Sequence, residues 1–393
     1  MPSDGRTALV LPSVMASGTE RRLAFVYRHL QRRYPGEYLL VVSPEIFRIL
    51  NRGGFGLDRL PGVHVLGRRF PLDRKQGAHA SPLVNLGRAF TLLRYRRELR
   101  ALIQSEAIGL IHPYLELVPA LSLFPLPEVP WIVPIVDHLP KYFDGHSVDC
   151  RLLLRAISLS EKVDCLFSWV ADQVRRLGVD PRKLNYPAWN CVNHDAFHPE
   201  AKSPLVTFAA RAIDWKNPMM MVSVVDHVLR RRPGVRFAIL GRGKMAQDLP
   251  RAVSRRGWED QVQIGYLEDP SPTVNRSLVH VSLDRYDNFS NQSLLEGMAA
   301  GCAVVASDVG ETHRVVTEDV GLLAPLDPGA IAEAILSLLQ NPPRMEQMGR
   351  AARARVMENH NVDRYIDYLR LVHDMSQAGP VAGGVLQDSA RRP

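Results

Sequence analysis

The sequence predicts an α/β protein built from two doubly wound units in tandem. Short apolar runs alternate with segments of helical periodicity almost from end to end, which is typical of parallel sheets covered on both faces. This alternation stops at residues 184–204, which are rich in Pro and Asn, and then restarts. We therefore interpret residues 184–204 as a linker, and we expect ligands in a cleft at the carboxyl ends of the strands.

Each predicted strand is a short apolar run, mostly of branched aliphatic residues. The first half carries TALVLP (7–12), YLLVVS (38–43), VHVLG (63–67), IGLIH (108–112), PWIVPIV (130–136) and DCLFSW (164–169). The second half carries LVTFAA (205–210), VRFAILG (235–241), QVQIG (261–265), LVHVSL (278–283) and AVVAS (303–307). Helices are predicted at 18–33, 217–232 and from 327 to about 375, followed by a disordered tail at 377–393.

Composition excludes several classes of protein. With 393 residues, 46% hydrophobic and 23% charged, the chain is long enough for two globular domains. No stretch is apolar enough for a membrane span or a signal peptide, which favours a cytoplasmic protein. The four cysteines lie far apart without metal-ligand spacing, so we expect buried, reduced thiols and no metal site.

Positive charge is concentrated near the N-terminus. The first hundred residues carry a net charge of +11, whereas the whole chain carries +8. Arginines alternate with leucines at helical spacing over residues 86–104, which indicates an amphipathic helix with a basic face. A solvated face is the favoured interpretation, and contact with an anionic membrane surface is the alternative. Aromatic residues do not interleave with the basic ones, so nucleic-acid binding is not expected.

Two loops in the second half have the composition of a phosphate site. In FAARAIDWKNP, Arg211 and Lys216 lie between a predicted strand and a predicted helix, a place that suits a diphosphate. After the next strand, Gly241 and Gly243 form a turn in which the backbone can approach a ligand closely. Each signal is weak alone, because surface cations and Gly-x-Gly turns are common.

The segment YDNFSNQSLLEGMAAGCAVVASD (286–308) adds a third element. Ser290 is predicted to cap a helix that begins near Asn291. The first amides of this helix then point out of its positive end, where a phosphate is stabilised: Asn291, Gln292 and Ser293. Glu296, about a turn and a half into the helix, can accept hydrogen bonds from two vicinal ribose hydroxyls. The alternative for Glu296 is an ordinary exposed helix glutamate.

The order of these elements resembles the GT-B glycosyltransferases, in particular the large retaining family 4. That family runs GR-x4-K, then G-x-G, then E-x7-E within EGFG-x3-LEAMA-x-G-x-PVVA. The resemblance extends through GLLAPLDPGAIAEAILSLLQNP and includes SGTERRLA and PAWNCVNHDAFHP, reaching about residue 375. It implies two Rossmann-like doubly wound domains facing each other across a cleft. Residues 1–200 would form the acceptor side with the linker, 201–360 would bind the nucleotide sugar, and a helix at 361–376 would cross back.

The resemblance also implies roles for individual residues. Catalysis is assigned to Arg211, Lys216, Asp287 and His138, with Asp137 as the alternative to His138. Arg211 and Lys216 would hold the diphosphate and Glu296 the ribose. The remaining donor-binding residues would be Ser17, Gly18, Thr19, Gly241, Gly243, Asn288, Ser290, Asn291, Gln292 and Ser293. Because fixed cations hold the diphosphate, the family commonly needs no metal, and no cofactor is expected besides the donor itself.

Three departures from the family pattern bear on these roles. Ala210 and Ser17 replace glycines in phosphate-facing loops, and VGETHRVV places Arg314 where the family usually has a glutamate. Eight residues before Glu296 stands Asn288, which cannot be a carboxylate. We predict that a one-residue shift in the turn delivers Asp287 to the donor sugar. The alternatives are that the first acid is absent, or that Asp287 only forms an Asx turn.

The resemblance thus implies a retaining glycosyltransferase. It would move a sugar from a nucleotide-diphosphate donor to a hydroxyl of a saccharide, lipid-linked or small-molecule acceptor, and peripheral contact of the basic N-terminal domain with the inner membrane face is the alternative to a solvated face. The rival interpretations are a catalytically degenerate nucleotide-sugar-binding subunit and a GT-B epimerase or phosphorylase.

Overall fold

The chain forms two compact units. The computed structural model describes residues 5–13, 18–67, 82–114, 118–123, 125–126, 128–135, 143–166, 168–185 and 190–377, with only the backbone of 82–92, 118–120 and 375–377. The first unit is Met1–Ala188 with Ile366–Pro393, and the second is Trp189–Tyr365. Of the predicted tail, residues 378–393 lie outside the described residues.

The first unit alternates strands and helices, as its sequence predicts. Its strands are β1 (Arg6–Leu11), β2 (Tyr38–Val42), β3 (Val63–Val65), β4 (Ile108–Pro113), β5 (Ile132–Ile135), β6 (Lys162–Cys165) and β7 (Leu184–Asn185). Its helices are α1 (Gly18–Arg33), α2 (Pro44–Arg52), α3 (Pro82–Ser105), α4 (Val118–Leu123), α5 (Val148–Leu159) and α6 (Ser168–Arg176). The parallel strands pair in the orders β3-β2-β1-β4 and β5-β6-β7, and a bridge between Ile111 and Trp131 joins the two sets.

The second unit repeats the alternation. Its strands are β8 (Ser203–Ala209), β9 (Arg236–Leu240), β10 (Val262–Gly265), β11 (Ser277–Ser282), β12 (Ala303–Ser307) and β13 (Gly321–Ala324). Its helices are α7 (Pro218–Leu229), α8 (Leu249–Ser254), α9 (Ser271–Asn275), α10 (Gln292–Ala299), α11 (Pro328–Gln340) and α12 (Pro342–Asn359), and α13 (Val362–Gln377) begins in this unit. The six parallel strands lie in the order β10-β9-β8-β11-β12-β13, which is the Rossmann order.

The last part of α13 packs polar side chains against the sheet of the first unit. Tyr368 donates its hydroxyl hydrogen bond to Asp164 of β6, and burial raises the pKa of that carboxyl to about 6. Nε2 of His373 lies 3.0 Å from Nδ1 of His112, and Nδ1 of His373 lies 3.2 Å from the hydroxyl of Tyr38. Burial lowers the pKa of both histidines, so these rings stay neutral at pH 7. Buried hydrogen bonds therefore hold the chain end in the first unit.

The second half of the predicted linker is a packed part of the second unit. Cys191 and Val192 are fully buried, and the amide of Val192 donates to the carbonyl of His360. Phe197 packs in the same apolar cluster as α10. The boundary between the two units falls inside the predicted linker, between Ala188 and Trp189, and the part of the segment after it packs into the second unit through these apolar side chains. All four cysteines are buried and free, as predicted.

Candidate functional site

The candidate site lies in the second unit, at the carboxyl ends of β8 and β11. The strand order reverses between these two neighbours, and such a switch point leaves a crevice where doubly wound sheets bind ligands. Four loops contribute to this edge of the sheet. They are residues 210–217 after β8, 241–248 after β9, 283–291 after β11 and 308–314 after β12.

The two predicted cations differ in their exposure. Arg211 is exposed to solvent, whereas the side chain of Lys216 is only 8% exposed. Both lie near one indole: Nζ of Lys216 is 4.4 Å from the ring centroid of Trp215, and Cζ of Arg211 is 5.4 Å from it. Both cations thus lie within cation–π range of one indole ring.

Lys216 is held by a carboxylate that the sequence pattern did not single out, Asp284. Nζ lies 2.5 Å from Oδ1 of Asp284, whose side chain is 7% exposed. Oδ2 of Asp284 accepts hydrogen bonds from the side-chain amides of Asn291 (2.7 Å) and Asn288 (3.1 Å). The position of Asp284, just after a buried strand of a parallel sheet, is the signal that would have found it. This ion pair ties the lysine to the segment that begins α10.

Further hydrogen bonds join the loops after β8 and β11. Asn217 has a left-handed backbone (φ 53°), and its Nδ2 donates to the carbonyl of Leu283 at 2.8 Å. Arg285 donates from its backbone to the carbonyl of Trp215 (2.9 Å) and from its guanidinium to Oδ1 of Asn217 (3.0 Å). The same guanidinium pairs with Asp214 at 3.1 Å. These contacts join the loop after β8 to the loop after β11.

Helix α10 is capped by Asn291, so the prediction that Ser290 caps it is wrong. Oδ1 of Asn291 accepts the amide of Ser293 at 3.0 Å. Ser290 is instead buried, and its carbonyl accepts a hydrogen bond from Asn190. Because the amide of Ser293 already has this partner, it is not free for a ligand as predicted. Asn291 takes the cap because its extended backbone (ψ 122°) places the side chain over the first turn.

A buried histidine of β11 positions α10. Nδ1 of His280 lies 3.0 Å from Oγ1 of Thr207, and Nε2 lies 3.0 Å from Oγ of Ser293. A Cβ at Gly297 would lie 2.4 Å from Cγ of His280, so only glycine permits this approach. Burial lowers the pKa of His280 to about 4, and the neutral ring therefore acts as one donor and one acceptor.

Two cations occupy the other end of α10. Nζ of Lys202 donates to the carbonyl of Ala300 at 2.7 Å, and Arg353 donates to the carbonyl of Ala299. These charges neutralise the negative end of the helix dipole, while the positive end faces the crevice.

Gly241 and Gly243 serve the packing of the chain on itself. A Cβ at Gly241 would lie 1.8 Å from the carbonyl oxygen of Ala210, and one at Gly243 would lie 2.3 Å from that of Ala212. The amide of Ala212 also donates to the carbonyl of Arg242 at 3.0 Å. The backbone of the loop after β8 therefore lies against these glycines, where a ligand was expected. Contact of the glycines with a donor stays a prediction.

Asp287 and Asn288 have different partners. Oδ1 of Asp287 accepts the amides of Phe289 (3.3 Å) and Glu311 (3.2 Å), whereas Asn288 donates to Asp284. The first bond is the Asx-type contact considered as an alternative, and the second joins Asp287 to the loop after β12. Burial is the main cause that raises the pKa of Asp287. The role of Asp287 toward a donor stays a prediction.

A small concavity, partly open to solvent, lies beside these loops. Its polar lining comes from the loop after β11 and from the end of β12 with the turn that follows: Asp284, Asn288, Ser290, Asn291, Ser307 and Thr312. Hydroxyl and amide groups of this kind can hold a polar ligand group by hydrogen bonds.

The other predicted site residues are distributed as follows. Glu296 is half-buried on α10, and Gly18 and Thr19 form the first turn of α1 in the first unit. Ser17, Asp137 and His138 lie outside the described residues. The described ranges hold no group of three or more His, Cys, Asp or Glu side chains that could bind a metal ion. In that same part of the chain, no helix has the length and apolar character that crossing a bilayer requires.

Comparison with known proteins connects this geometry to a family. Residues 193–355 match the family described as Glycosyl transferases group 1. The D-inositol 3-phosphate glycosyltransferase of Segniliparus rotundus is 28% identical over 155 residues, which are 37% of this chain and 34% of that one. The chain thus spans about a third of that relative. The α-maltose-1-phosphate synthase of Mycolicibacterium smegmatis is 25% identical over 341 residues, 75% of this chain and 86% of that one.

A solved structure shares the fold over nearly the whole chain. Anabaena HepE in complex with UDP and glucose superposes with a TM-score of 0.70 at 15% identity, over 94% of this chain and 99% of that one. Together with the strand orders of both units, this confirms the predicted class of two Rossmann-like α/β units of the GT-B type.

The first testable consequence concerns the buried ion pair. Asp284→Asn should lower the free energy of unfolding by about 3 to 5 kcal/mol, because the ammonium of Lys216 would be left buried without a counter-charge. The double variant Lys216→Met/Asp284→Asn should regain most of that loss. Urea unfolding at neutral pH measures both, with the exposed Asp260→Asn as the control expected within about 0.5 kcal/mol of wild type. A single variant as stable as wild type would contradict the assigned pairing.

Proposed function

We propose that the protein is a glycosyltransferase, because residues 193–355 match the family described as Glycosyl transferases group 1. It transfers a sugar from a nucleotide-diphosphate donor to a hydroxyl of an acceptor. Arg211, Lys216 and the N-terminus of α10 carry this proposal, because they lie together at the switch point between β8 and β11.

The charges at this edge suit a diphosphate leaving group. The guanidinium of Arg211, which is exposed to solvent, and the positive end of α10 lie at this edge beside the ion pair of Lys216 and Asp284. A planar guanidinium can bind two phosphate oxygens at once, and an ammonium is a compact charge beside a phosphate. Fixed cations of this kind stabilise the departing nucleoside diphosphate, and we therefore propose transfer without a metal ion.

The donor lies along the carboxyl edge of the sheet. We place its ribose at Glu296 and its transferred sugar near Asp287, on the side of β12 where Glu311 contacts Asp287. The carboxylate of Asp287 would stabilise positive charge that develops on the sugar ring. Retention of anomeric configuration is proposed from the family 4 resemblance. UDP is the first nucleotide to test, because the HepE structure contains it.

The acceptor is proposed to carry phosphate. Two relatives have a sugar or inositol phosphate in their names, and the first hundred residues of this chain have a net charge of +11. The described part of α3 exposes Arg94, Arg97 and Arg100. A lipid-linked phosphate acceptor at the cytoplasmic membrane surface fits this charge distribution.

Turnover separates the proposal from its rivals. UDP and GDP are titrated by calorimetry, and UDP- and GDP-sugars are then offered with phosphate-bearing acceptors, with products identified by mass. A mass increase of one sugar residue on the acceptor supports transfer. Nucleotide binding with no product across the panel would favour the degenerate subunit, which the departures at Ser17, Ala210 and Arg314 suit. Free sugar phosphate or an epimerised nucleotide sugar would favour the phosphorylase or the epimerase.

The diphosphate cations are tested by affinity for UDP. Arg211→Ala should weaken binding by about 1.5 to 3 kcal/mol, the range for charged hydrogen bonds, and should keep its stability because the side chain is exposed. Lys216→Met/Asp284→Asn should also bind more weakly while remaining folded. Arg255→Ala, an exposed arginine at the end of α8, is the matched control. Wild-type affinity in both test variants would show that the donor lies elsewhere.

The roles of Asp287 and Asn288 are tested by the kcat/KM values of variants at each position. Asp287→Asn should lose on the order of a hundredfold, equal to about 2.7 kcal/mol of transition-state stabilisation, because the sugar loses its carboxylate. Asn288→Asp should have little effect through the sugar, although a new charge beside Asp284 should lower stability. If Asp287→Asn is silent and Asn288→Asp accelerates the reaction, the assignment of the first acid to Asp287 is wrong.

Membrane contact is tested by co-sedimentation with vesicles. Wild type should pellet with vesicles that contain phosphatidylglycerol and stay in solution with pure phosphatidylcholine, because each arginine near an anionic surface contributes about 1 kcal/mol. Arg94→Gln/Arg97→Gln should pellet less, and Arg344→Gln/Arg350→Gln should behave as wild type. Equal pelleting with both lipids would remove the electrostatic argument.

A further inference from the structure

Two backbone amides donate hydrogen bonds to Asp287, and the residues that carry these amides both contact the same arginine. Its Oδ1 accepts the amides of Phe289 and Glu311. The guanidinium of Arg314 pairs with the carboxylate of Glu311 at 2.7 Å and lies over the ring of Phe289, with Cζ 4.7 Å from the centroid. One side chain therefore contacts both residues that donate to Asp287.

We propose that Arg314 is a positioning residue for Asp287, acting through Glu311 and Phe289 to fix the place of the Asp287 carboxyl and its charge. The consequence for catalysis rests on the proposed function, in which Asp287 contacts the transferred sugar. The effect on Asp287 itself does not depend on that function.

The packing leaves Asp287 little freedom. Gly310 has φ 52°, and a Cβ at this position would lie 2.2 Å from Cγ of Asp287. The carboxyl group thus lies directly against the backbone of residues 310–311. A displacement of Glu311 or Phe289 would carry the amide donors away from Oδ1, since both bonds are near the upper end of the usual distance range.

The charged groups around Asp287 also support a role for Arg314. Burial raises the pKa of Asp287, the hydrogen bond from the amide of Glu311 lowers it, and the charge of the Glu311 side chain, which is 14% exposed, raises it. Arg314, 38% exposed, is the cation that compensates Glu311. His313 in the same turn is exposed and bonded to the carbonyl of Gly310, and the other acid of the preceding loop, Asp284, is paired with Lys216.

Compared with the family pattern, this sequence has a different charge at two positions of the loop after β12. Arg314 stands where the family pattern usually has a glutamate, and Glu311 stands where that pattern has the second glycine of VGG. A glutamate at 314 beside Glu311 would place a third carboxylate near Asp287. A cation at 314 avoids this repulsion.

The pKa of Asp287 can be measured directly by carbon NMR of protein labelled with [γ-13C]aspartate, with the resonance assigned by Asp287→Asn. Arg314→Gln should raise this pKa by roughly half a unit to one unit, because Glu311 is then uncompensated. Glu311→Gln should lower it, and the double variant should return it toward wild type. Arg314→Lys should keep the wild-type pKa if charge dominates. His313→Gln and the exposed Arg350→Gln should leave it unchanged.

An unchanged Asp287 titration in Arg314→Gln, with the fold intact by circular dichroism, would overturn the proposal. A second variant, Arg314→Lys/Glu311→Gln, covers the case in which Arg314→Gln fails to fold. The pKa of Asp287 should be lower in this variant than in wild type, and an unchanged pKa would overturn the proposal. With UDP-glucose hydrolysis as the probe, the acid limb of kcat should follow the measured pKa, and UDP affinity should stay within about twofold of wild type. If Asp287→Asn hydrolyses UDP-glucose normally while the NMR shifts occur, the proposed role of Asp287 fails and the positioning by Arg314 stands.

Discussion

The ion pair between Lys216 and Asp284 is the constraint on which the site depends. Both side chains are almost completely buried, and a buried charge without a partner is strongly destabilising. Asp284 uses its second oxygen to hold Asn288 and Asn291, so the residue that neutralises the lysine also orients the cap of α10. The loop after β8 and the start of α10 therefore cannot shift independently. A rigid edge of this kind binds a ligand at a lower entropic cost than mobile loops do.

The orientation of α10 follows from contacts along its whole length. His280 fixes its first turn, the absence of a side chain at Gly297 lets it approach the sheet, and Lys202 with Arg353 satisfies its last carbonyls. A helix held in this way presents its positive end at the crevice without an uncompensated negative end in the core. The buried linker segment contributes as well, because Asn190 anchors the carbonyl of Ser290 just before the cap.

The loop after β12 has a separate role. Asp287 lies against Gly310 of this loop and accepts a hydrogen bond from the amide of Glu311. Asn288, the next residue, donates a hydrogen bond to Asp284. Adjacent side chains thus serve two different neighbours, one at the end of β12 and one at the ion pair. The proposed function divides along the same line: the ion pair and Arg211 belong to the diphosphate, and Asp287 with its Arg314 support belongs to the transferred sugar.

The sequence by itself determined the alternation of strands and helices, the division into two α/β units and the place of Arg211 and Lys216 in a loop that follows a strand. These follow from local signals, since hydrophobic periodicity and the position of a loop after a strand are properties of neighbouring residues. Two strands escaped prediction: β7 has only two residues, and β13 is the run GLLA, which begins with glycine and has no β-branched residue. Tertiary structure alone decided that Asp284 neutralises Lys216, that Asn291 caps α10, that the two glycines pack on Ala210 and Ala212, and that Arg314 lies over the ring of Phe289. Each of these contacts except the cap joins loops that follow different strands, and the cap is fixed by the same packing. Parallel strands bring such loops together only once the whole sheet has formed, so no window of local sequence contains them.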